Sequence, residues 1–343
     1  MGLKSFEKGK IAFLTEANLD IGYGHLYRSV ALAQKFFSNK FDVDFFCDGF
    51  VPAKIIRENL PESNVFELPR FKALINKYSL VILDVFKNSW LNYQWIAQTT
   101  DIKTASVIDY AFKDYSIPTD YIFQIGFQPY RFNEEVKPKE NGEISKVYSG
   151  NDFFIFREEF EGKKAFEIKK NAKKILVSMG GSDPYGLTEF VSNSLINIKT
   201  PLIVTFIFGA AIKEKRITNI NSIFSNSCHD LRVCQNVKIM SKIMENHDCA
   251  IINGGNTRFE MAVVGIPFIS ISFNNQQNNI ANYLQNYGIG ENLGIYKNLN
   301  SKVVAKSIER FIYNYAERKK MSEQMRKSIC INGTQNILNI LLA

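Results

Sequence analysis

One of the chain's three histidines, His25, stands in the run Asp20-Ile21-Gly22-Tyr23-Gly24-His25-Leu26-Tyr27-Arg28. The run follows the apolar segment Ile11-Ala12-Phe13-Leu14 and opens a helix-period segment in which Leu26, Val30, Ala33 and Phe37 form one stripe. Gly22 and Gly24 allow a tight turn and let a ligand approach the backbone, while free N–H groups at a helix start attract an oxyanion. An imidazole placed there suits general acid or base chemistry near neutral pH. The run is not a dinucleotide fingerprint, because Tyr27 holds the third glycine position, nor a Walker A loop, because no Gly-Lys-Ser/Thr follows. His229 and His247 lie in polar contexts and read as structural.

Three further segments repeat the order of strand, turn and helix. Met179-Gly180-Gly181-Ser182-Asp183-Pro184 suits a phosphate or a substrate hydroxyl, and equally a plain β-to-α turn with an Asp183 cap. In Asn253-Gly254-Gly255-Asn256-Thr257-Arg258-Phe259-Glu260, backbone donors at 255–257 can hold a diphosphate. Glu260 can accept both hydroxyls of a ribose, or serve as a carboxylate favoured by the helix dipole. Phe273-Asn274-Asn275-Gln276-Gln277-Asn278-Asn279 offers six amides that suit either a hydroxylated or N-acylated sugar or a capped helix start.

The elements that must position these groups alternate between short apolar strands and helical stripes. Strands are predicted at 11–14, 43–47, 80–84, 105–109 and 121–123, then again at 174–179, 202–208, 249–252 and 267–271. The alternation implies parallel βαβ units. The expected fold is α/β, with two Rossmann-like doubly wound domains facing a cleft and ligands beyond the carboxyl ends of the strands. The boundaries read as a first domain at 1–157, a linker at 158–171, a second domain at 172–316, and C-terminal helices at 317–343 that pack back on the first. One of those helices is expected over 337–342, after the turn at Asn332-Gly333, with Arg318-Lys319-Lys320 and Arg326-Lys327 as a solvated basic face.

The 343 residues carry 42 basic and 34 acidic side chains, a net charge of +8, and 45% are hydrophobic, which excludes a disordered chain. The charge favours anionic partners without choosing among nucleic acid, a membrane surface and phosphorylated metabolites. Five cysteines without metal-type spacing read as reduced thiols. No run approaches a membrane span, and the chain is expected to be cytoplasmic.

In order and spacing, the four segments resemble the PseG-type hydrolases of pseudaminic acid biosynthesis, which act on UDP-2,4-diacetamido-2,4,6-trideoxy-β-L-altropyranose, and their spore-coat-polysaccharide relatives. The likeness runs from Ile11 to about Ile340 and includes Ser149-Gly150 through Phe156-Arg157-Glu158-Glu159-Phe160, similar to that family's interdomain segment. It implies the GT-B architecture shared with MurG-type glycosyltransferases. It further implies His25 as the base that activates water, displacing UDP at the anomeric carbon with inversion, without metal or cofactor. Gly22, Gly24, Arg28, Asp84, Gly180, Gly181, Ser182, Asp183, Asn275 and Gln276 would then contact substrate. Gly254, Gly255, Asn256, Thr257 and Glu260 would hold the nucleotide. Departures fall at Leu14 and Glu16, where the family has Arg and Asp, and at Asp84-Val85-Phe86, which lacks the usual tyrosine hydroxyl. The runner-up activity is an inverting glycosyltransferase that passes a related sugar to a glycan or lipid, its basic C-terminal region meeting an anionic membrane. A sugar-nucleotide sensor is a further reading; a nucleic-acid binder is disfavoured by the lack of any RNA-recognition or zinc signature.

Overall fold

The computed structural model describes residues 9–18, 22–99, 102–109, 117–126, 139, 142–162, 166–181, 183–209, 212 and 214–343. The chain divides into two compact units, Met1–Glu158 with Cys330–Ala343, and Glu159–Ile329.

The first unit holds β1 (Ile11–Thr15), β2 (Val43–Phe46), β3 (Asn64–Phe66), β4 (Leu80–Asp84), β5 (Lys103–Ile108), β6 (Tyr121–Ile125) and β7 (Lys146–Gly150) in one sheet, ordered β3-β2-β1-β4-β5-β6-β7. Every pairing is parallel. Its helices include α1 (Gly24–Ser38), α2 (Phe50–Asn59) and the short α3 (Phe71–Leu74). In α1 the expected stripe packs inward through Leu26, Val30 and Ala33, with Phe36 taking the buried place and Phe37 only half-buried. Phe13 on β1 stacks on Phe45 of β2 at 5.3 Å between ring centroids, so the strand core is filled by facing aromatic rings.

The second unit holds β8 (Lys174–Ser178), β9 (Ile203–Phe208), β10 (Asp230–Gln235), β11 (Cys249–Asn253), β12 (Phe268–Ser272) and β13 (Glu291–Ile295), ordered β10-β9-β8-β11-β12-β13 and again all parallel. Among the described residues its α-helices are α4 (Leu187–Leu195), α5 (Glu214–Phe224), α6 (Met240–Glu245), α7 (Thr257–Val264), α8 (Asn275–Asn286), α9 (Ser301–Tyr313) and α10 (Tyr315–Ser328). In each sheet the strand order reverses about the first strand, between β1 and β4 and between β8 and β11. A crevice opens at such a point because the helices on its two sides diverge.

The C-terminal boundary falls later than the sequence suggests. Arg318, expected on a solvated basic face, is fully buried in the second unit. Its guanidinium donates to the carbonyls of Phe311 and Ile312 at the end of α9 and to those of Lys169 and Lys170, at 2.8–3.1 Å. Ser322 Oγ donates to the Gly265 carbonyl at 2.6 Å, which fixes α10 to the end of α7. Only α11 (Gly333–Leu342) returns to the first unit. There a Cβ on Gly333 would stand 2.1 Å from the Phe154 carbonyl oxygen, and Asn336 Nδ2 donates to the Asp152 carbonyl at 2.9 Å. Glycine is needed at 333 for that approach.

Two outcomes follow from buried polar groups in the second unit. Arg318→Met leaves four carbonyls without their donor and is expected to cost about 3 kcal/mol of stability in urea titration. Arg318→Lys recovers only part, because an ammonium lacks the planar fork. His247 donates through Nδ1 to the Ile243 carbonyl at 2.6 Å and accepts at Nε2 from Thr205 Oγ1 at 2.8 Å. Burial holds this imidazole below its ordinary value, so the unfolded chain takes up a proton more readily than the folded one. The His247 contribution is therefore complete above about pH 6.5 and is lost as pH falls below it, and thermal melts of His247→Gln are expected to show a flatter acid limb.

Candidate functional site

In the first unit the end of β1 lies beside the end of β4, with Thr15 in register with Asp84. The chain turns at Gly22, at φ +79°, where the N–H donates to the Asn18 carbonyl at 2.9 Å. Asp20 and Ile21 of this motif lie outside the described residues. α1 then starts at Gly24 and directs His25, Arg28 and Ser29 at the Asp84 carboxylate. His25 Nδ1 lies 2.6 Å from Asp84 Oδ1. Arg28 donates through Nε to Oδ2 and through Nη2 to Oδ1, both at 2.5 Å, and Ser29 Oγ donates to Oδ2 at 3.3 Å. A third strand contributes Asp109, just beyond β5, whose Oδ2 accepts from Arg28 Nη1 at 2.6 Å.

The hydrogen bonding fixes the chemistry. An ionised carboxylate only accepts, so His25 Nδ1 carries the proton and Nε2 presents its lone pair. Nε2 has no partner among the described residues, and the residue is 8% exposed. Asp84 is 1% exposed and Arg28 is 4% exposed. Burial alone would lower the Arg28 guanidinium, but Asp109 and Asp84 outweigh it and hold the group above its ordinary value, so the cation persists.

Asp84 and Arg28 were expected to contact substrate. The structure gives their polar atoms to His25 and to each other, so Asp84 orients the imidazole. Asp109 was not singled out in the sequence; its signal was its place just beyond β5, the strand beside β4, on the carboxyl side of the sheet. Glu16, a departure from the resembled family, ties the end of β1 to the loop after β4, accepting at Oε2 from Phe86 N at 2.9 Å and Ser89 Oγ at 2.7 Å. Val85 is buried in the core and Phe86 is half-exposed.

In the second unit, the glycine turns after β8 and β11 and the amide-rich start of α8 after β12 meet at the carboxyl edge of three neighbouring strands. Asn253, the last residue of β11, joins two of them: Nδ2 donates to the Met179 carbonyl at 2.9 Å, and Oδ1 accepts from Gly255 N at 3.0 Å. Gly255 N is thereby committed internally, while the N–H groups of Asn256 and Thr257 at the start of α7 bond to none of the described residues. Gly180, at φ +90°, leaves room for Asn253, since a Cβ there would lie 2.8 Å from Nδ2. Gly181 is exposed, and Ser182 lies outside the described residues. Glu260 is half-buried one turn into α7.

One expected substrate contact, Asp183, has a structural duty, and at the start of α8 such duties fall to neighbours of Asn275 and Gln276. Asp183, 3% exposed, caps α4 by accepting from Leu187 N, Thr188 N and Thr188 Oγ1, and pairs with Arg216 Nη2 at 3.1 Å. Burial raises its carboxyl, with Thr188 and Arg216 opposing. At α8, the cap is Asn274, whose Oδ1 accepts from Gln277 N at 2.9 Å, while Gln277 Oε1 accepts from Phe273 N at 3.4 Å. Asn278 and Asn282 bind Asn292 on β13. Of the six amides, Asn274, Asn275, Gln276 and Asn279 are exposed, Asn275 and Gln276 on the first turn. Phe273 stacks on half-exposed Tyr185, with ring centroids 4.5 Å apart.

Among the described residues, no group of three or more His, Cys, Asp and Glu is placed to hold a metal, and no helix is long and apolar enough to cross a membrane. All five cysteines are free.

Comparison with solved structures decides the architecture. MurG of Acinetobacter baumannii superposes with a TM-score of 0.71 at 12% identity, covering 97% of this chain and 99% of that one. The fold is GT-B. CalG4, the calicheamicin glycosyltransferase, gives 0.64 at 14% identity over 98% and 99% of the two chains. HepE of Anabaena, solved with UDP and glucose, gives 0.60 at 10% identity over 97% and 99%. No family model matches the sequence. An uncharacterized protein of Methanocaldococcus jannaschii is 27% identical over 292 residues, which is 78% of this chain and 56% of its own. The spore coat polysaccharide biosynthesis protein SpsG of Bacillus subtilis is 22% identical over 201 residues, 57% of this chain and 58% of its own. The matches thus span just over half the length of these curated relatives.

The glycines allow a test of the second-unit edge. A Cβ on Gly254 would stand 2.6 Å from Gln277 Cβ, whereas one on Gly22 meets nothing within 4 Å among the described residues. Gly254→Ala is expected to cost about 1–3 kcal/mol in thermal or urea unfolding by forcing α8 outward. Gly22→Ala is expected to cost only the strain of its positive φ, about 1 kcal/mol.

Proposed function

We propose that this chain is an enzyme acting on a nucleotide sugar, and that it releases the nucleoside diphosphate by hydrolysis. The observation that carries this reading is the His25–Asp84 pair at the switch point of the first sheet, which leaves Nε2 as a base. In the proposed reaction Nε2 takes a proton from water as the water oxygen bonds to the anomeric carbon. The bond between that carbon and the diphosphate oxygen breaks from the opposite face, and the diphosphate leaves with the bonding electrons, inverting the centre.

The second unit supplies groups of the right kind for the leaving diphosphate. Asn256 and Thr257 present N–H groups at the start of α7, whose dipole favours an anion. Glu260 takes the ribose hydroxyls, and Asn275 and Gln276 take hydroxyl or acetamido groups of the sugar. Support for a nucleotide-sugar substrate comes from HepE, solved with UDP and glucose, and from SpsG, named for polysaccharide biosynthesis. UDP as the nucleotide, a diacetamido-trideoxyhexose as the sugar and a cytoplasmic setting rest on the resemblance of the motifs. The GT-B neighbours that are glycosyltransferases favour a second reading, transfer to a glycan or lipid hydroxyl with the same base.

Incubation of the purified protein with UDP-acetamido sugars distinguishes the two. Full-rate UDP release without acceptor is the expected result, and release only on adding an acceptor would establish transfer. His25→Gln is expected to lower kcat by about 10²–10⁴ with little change in UDP affinity. Glu260→Ala is expected to weaken UDP binding, read by calorimetry, by about tenfold, the loss of about one charged hydrogen bond.

A further inference from the structure

Arg28 lies within reach of two acceptors that demand opposite things of His25. Its Nη2 is 2.5 Å from Asp84 Oδ1 and 3.0 Å from His25 Nδ1. With Asp84 as the acceptor from both groups, Nδ1 keeps its proton and Nε2 is the lone pair. Were Nη2 to donate to Nδ1 instead, the ring would have to carry its proton on Nε2, and it could no longer accept one from water. One residue fixes which way the guanidinium is turned. Asp109 Oδ2 holds Nη1 at 2.6 Å, and with that corner pinned the planar fork presents Nε and Nη2 together to the two oxygens of Asp84.

We infer that Asp109, acting through Arg28, is a positioning residue that selects the Nδ1-protonated tautomer of His25. The inference rests on the reading of His25 as a base for its consequence in turnover, though not for its consequence in the ring. Asp109 is suited to substitution, because its side chain is 30% exposed, whereas those of Arg28 and Asp84 are 4% and 1% exposed. Its strand position is equally telling. Asp109 follows β5, next in the sheet to β4, so two adjacent strand ends converge on one guanidinium.

The molecule carries its own references for the test. Its other two histidines have tautomers fixed by backbone partners. His247 donates from Nδ1 to the Ile243 carbonyl. His229 accepts at Nδ1 from Leu202 N and so donates from Nε2 to the Leu195 carbonyl at 2.9 Å. In the full chain labelled with ¹⁵N-histidine, His25 is assigned by its loss in His25→Gln. At neutral pH the wild-type His25 signal is expected to follow the His247 pattern. In Asp109→Asn it is expected to move toward the His229 pattern while the two reference signals stay in place, which shows that the fold is intact.

Turnover of UDP-acetamido sugars is expected to fall with the tautomer, by about tenfold or more in kcat with KM unchanged. Asp109→Glu, which keeps a carboxylate for Nη1, is expected to restore both the ring signal and kcat. A His25 signal unchanged in Asp109→Asn would overturn the inference. If the wild-type protein releases no UDP yet the signal moves as described, the proposed hydrolysis fails and the positioning role stands.

Discussion

A carboxylate with almost no contact with water governs the first unit. Asp84 at the end of β4 gathers donors from His25, Arg28 and Ser29 on α1, and its charge is compensated by a guanidinium that Asp109 also holds. Removing Arg28 alone would leave the buried Asp84 carboxylate without its compensating cation in a medium that solvates it poorly. The arrangement therefore constrains its surroundings: β1, β4 and β5 must end level with one another, and α1 must begin one turn before Arg28. The turn at Gly22 and the tie from Glu16 to the next loop meet that requirement. The geometry around His25 and the strand register are consequently one constraint.

The second unit solves a related problem with neutral groups. Asn253 links the turns after β8 and β11 through its amide, and Gly180 and Gly254 are small so that Asn253 and Gln277 can lie against the backbone. Fixed dipoles and helix-start N–H groups face outward where Arg28 and Asp84 face inward. An anion would meet a surface organised in advance, which lowers the reorganisation needed as charge develops.

What the sequence reveals follows burial. The nine strands legible as apolar runs lie in the interior of the two sheets, where both faces are covered by helices and a continuous hydrophobic run results. The four it does not show, β3, β7, β10 and β13, are the edges of the sheets. Edge strands need only one covered flank: β10 reads Asp-Leu-Arg-Val-Cys-Gln, and β13 contains Gly294. Lysine, arginine and asparagine there also discourage pairing with other chains. The motifs at the ends of interior strands were legible for the same reason, since a turn is conspicuous after an apolar run. Roles within them were less so. Asp183 and Asp84 are both acidic residues at strand-end turns, yet one caps a helix and the other orients an imidazole, a difference set by which partners lie far away in sequence. Arg318 misleads similarly, because backbone carbonyls rather than carboxylates hold the buried cation, whereas Lys319, Lys320, Arg326 and Lys327 are exposed as expected.

The path of the chain has an implication for how the protein is made. The second unit is one continuous stretch, whereas the first needs α11, contributed by the segment from Cys330 onward, to close over Phe154 and Asp152. During synthesis every strand of the later-encoded unit can therefore pair before the earlier-encoded one receives its last helix. The part translated first is the part completed last, and until α11 has been synthesised and docked the surface beneath it remains uncovered.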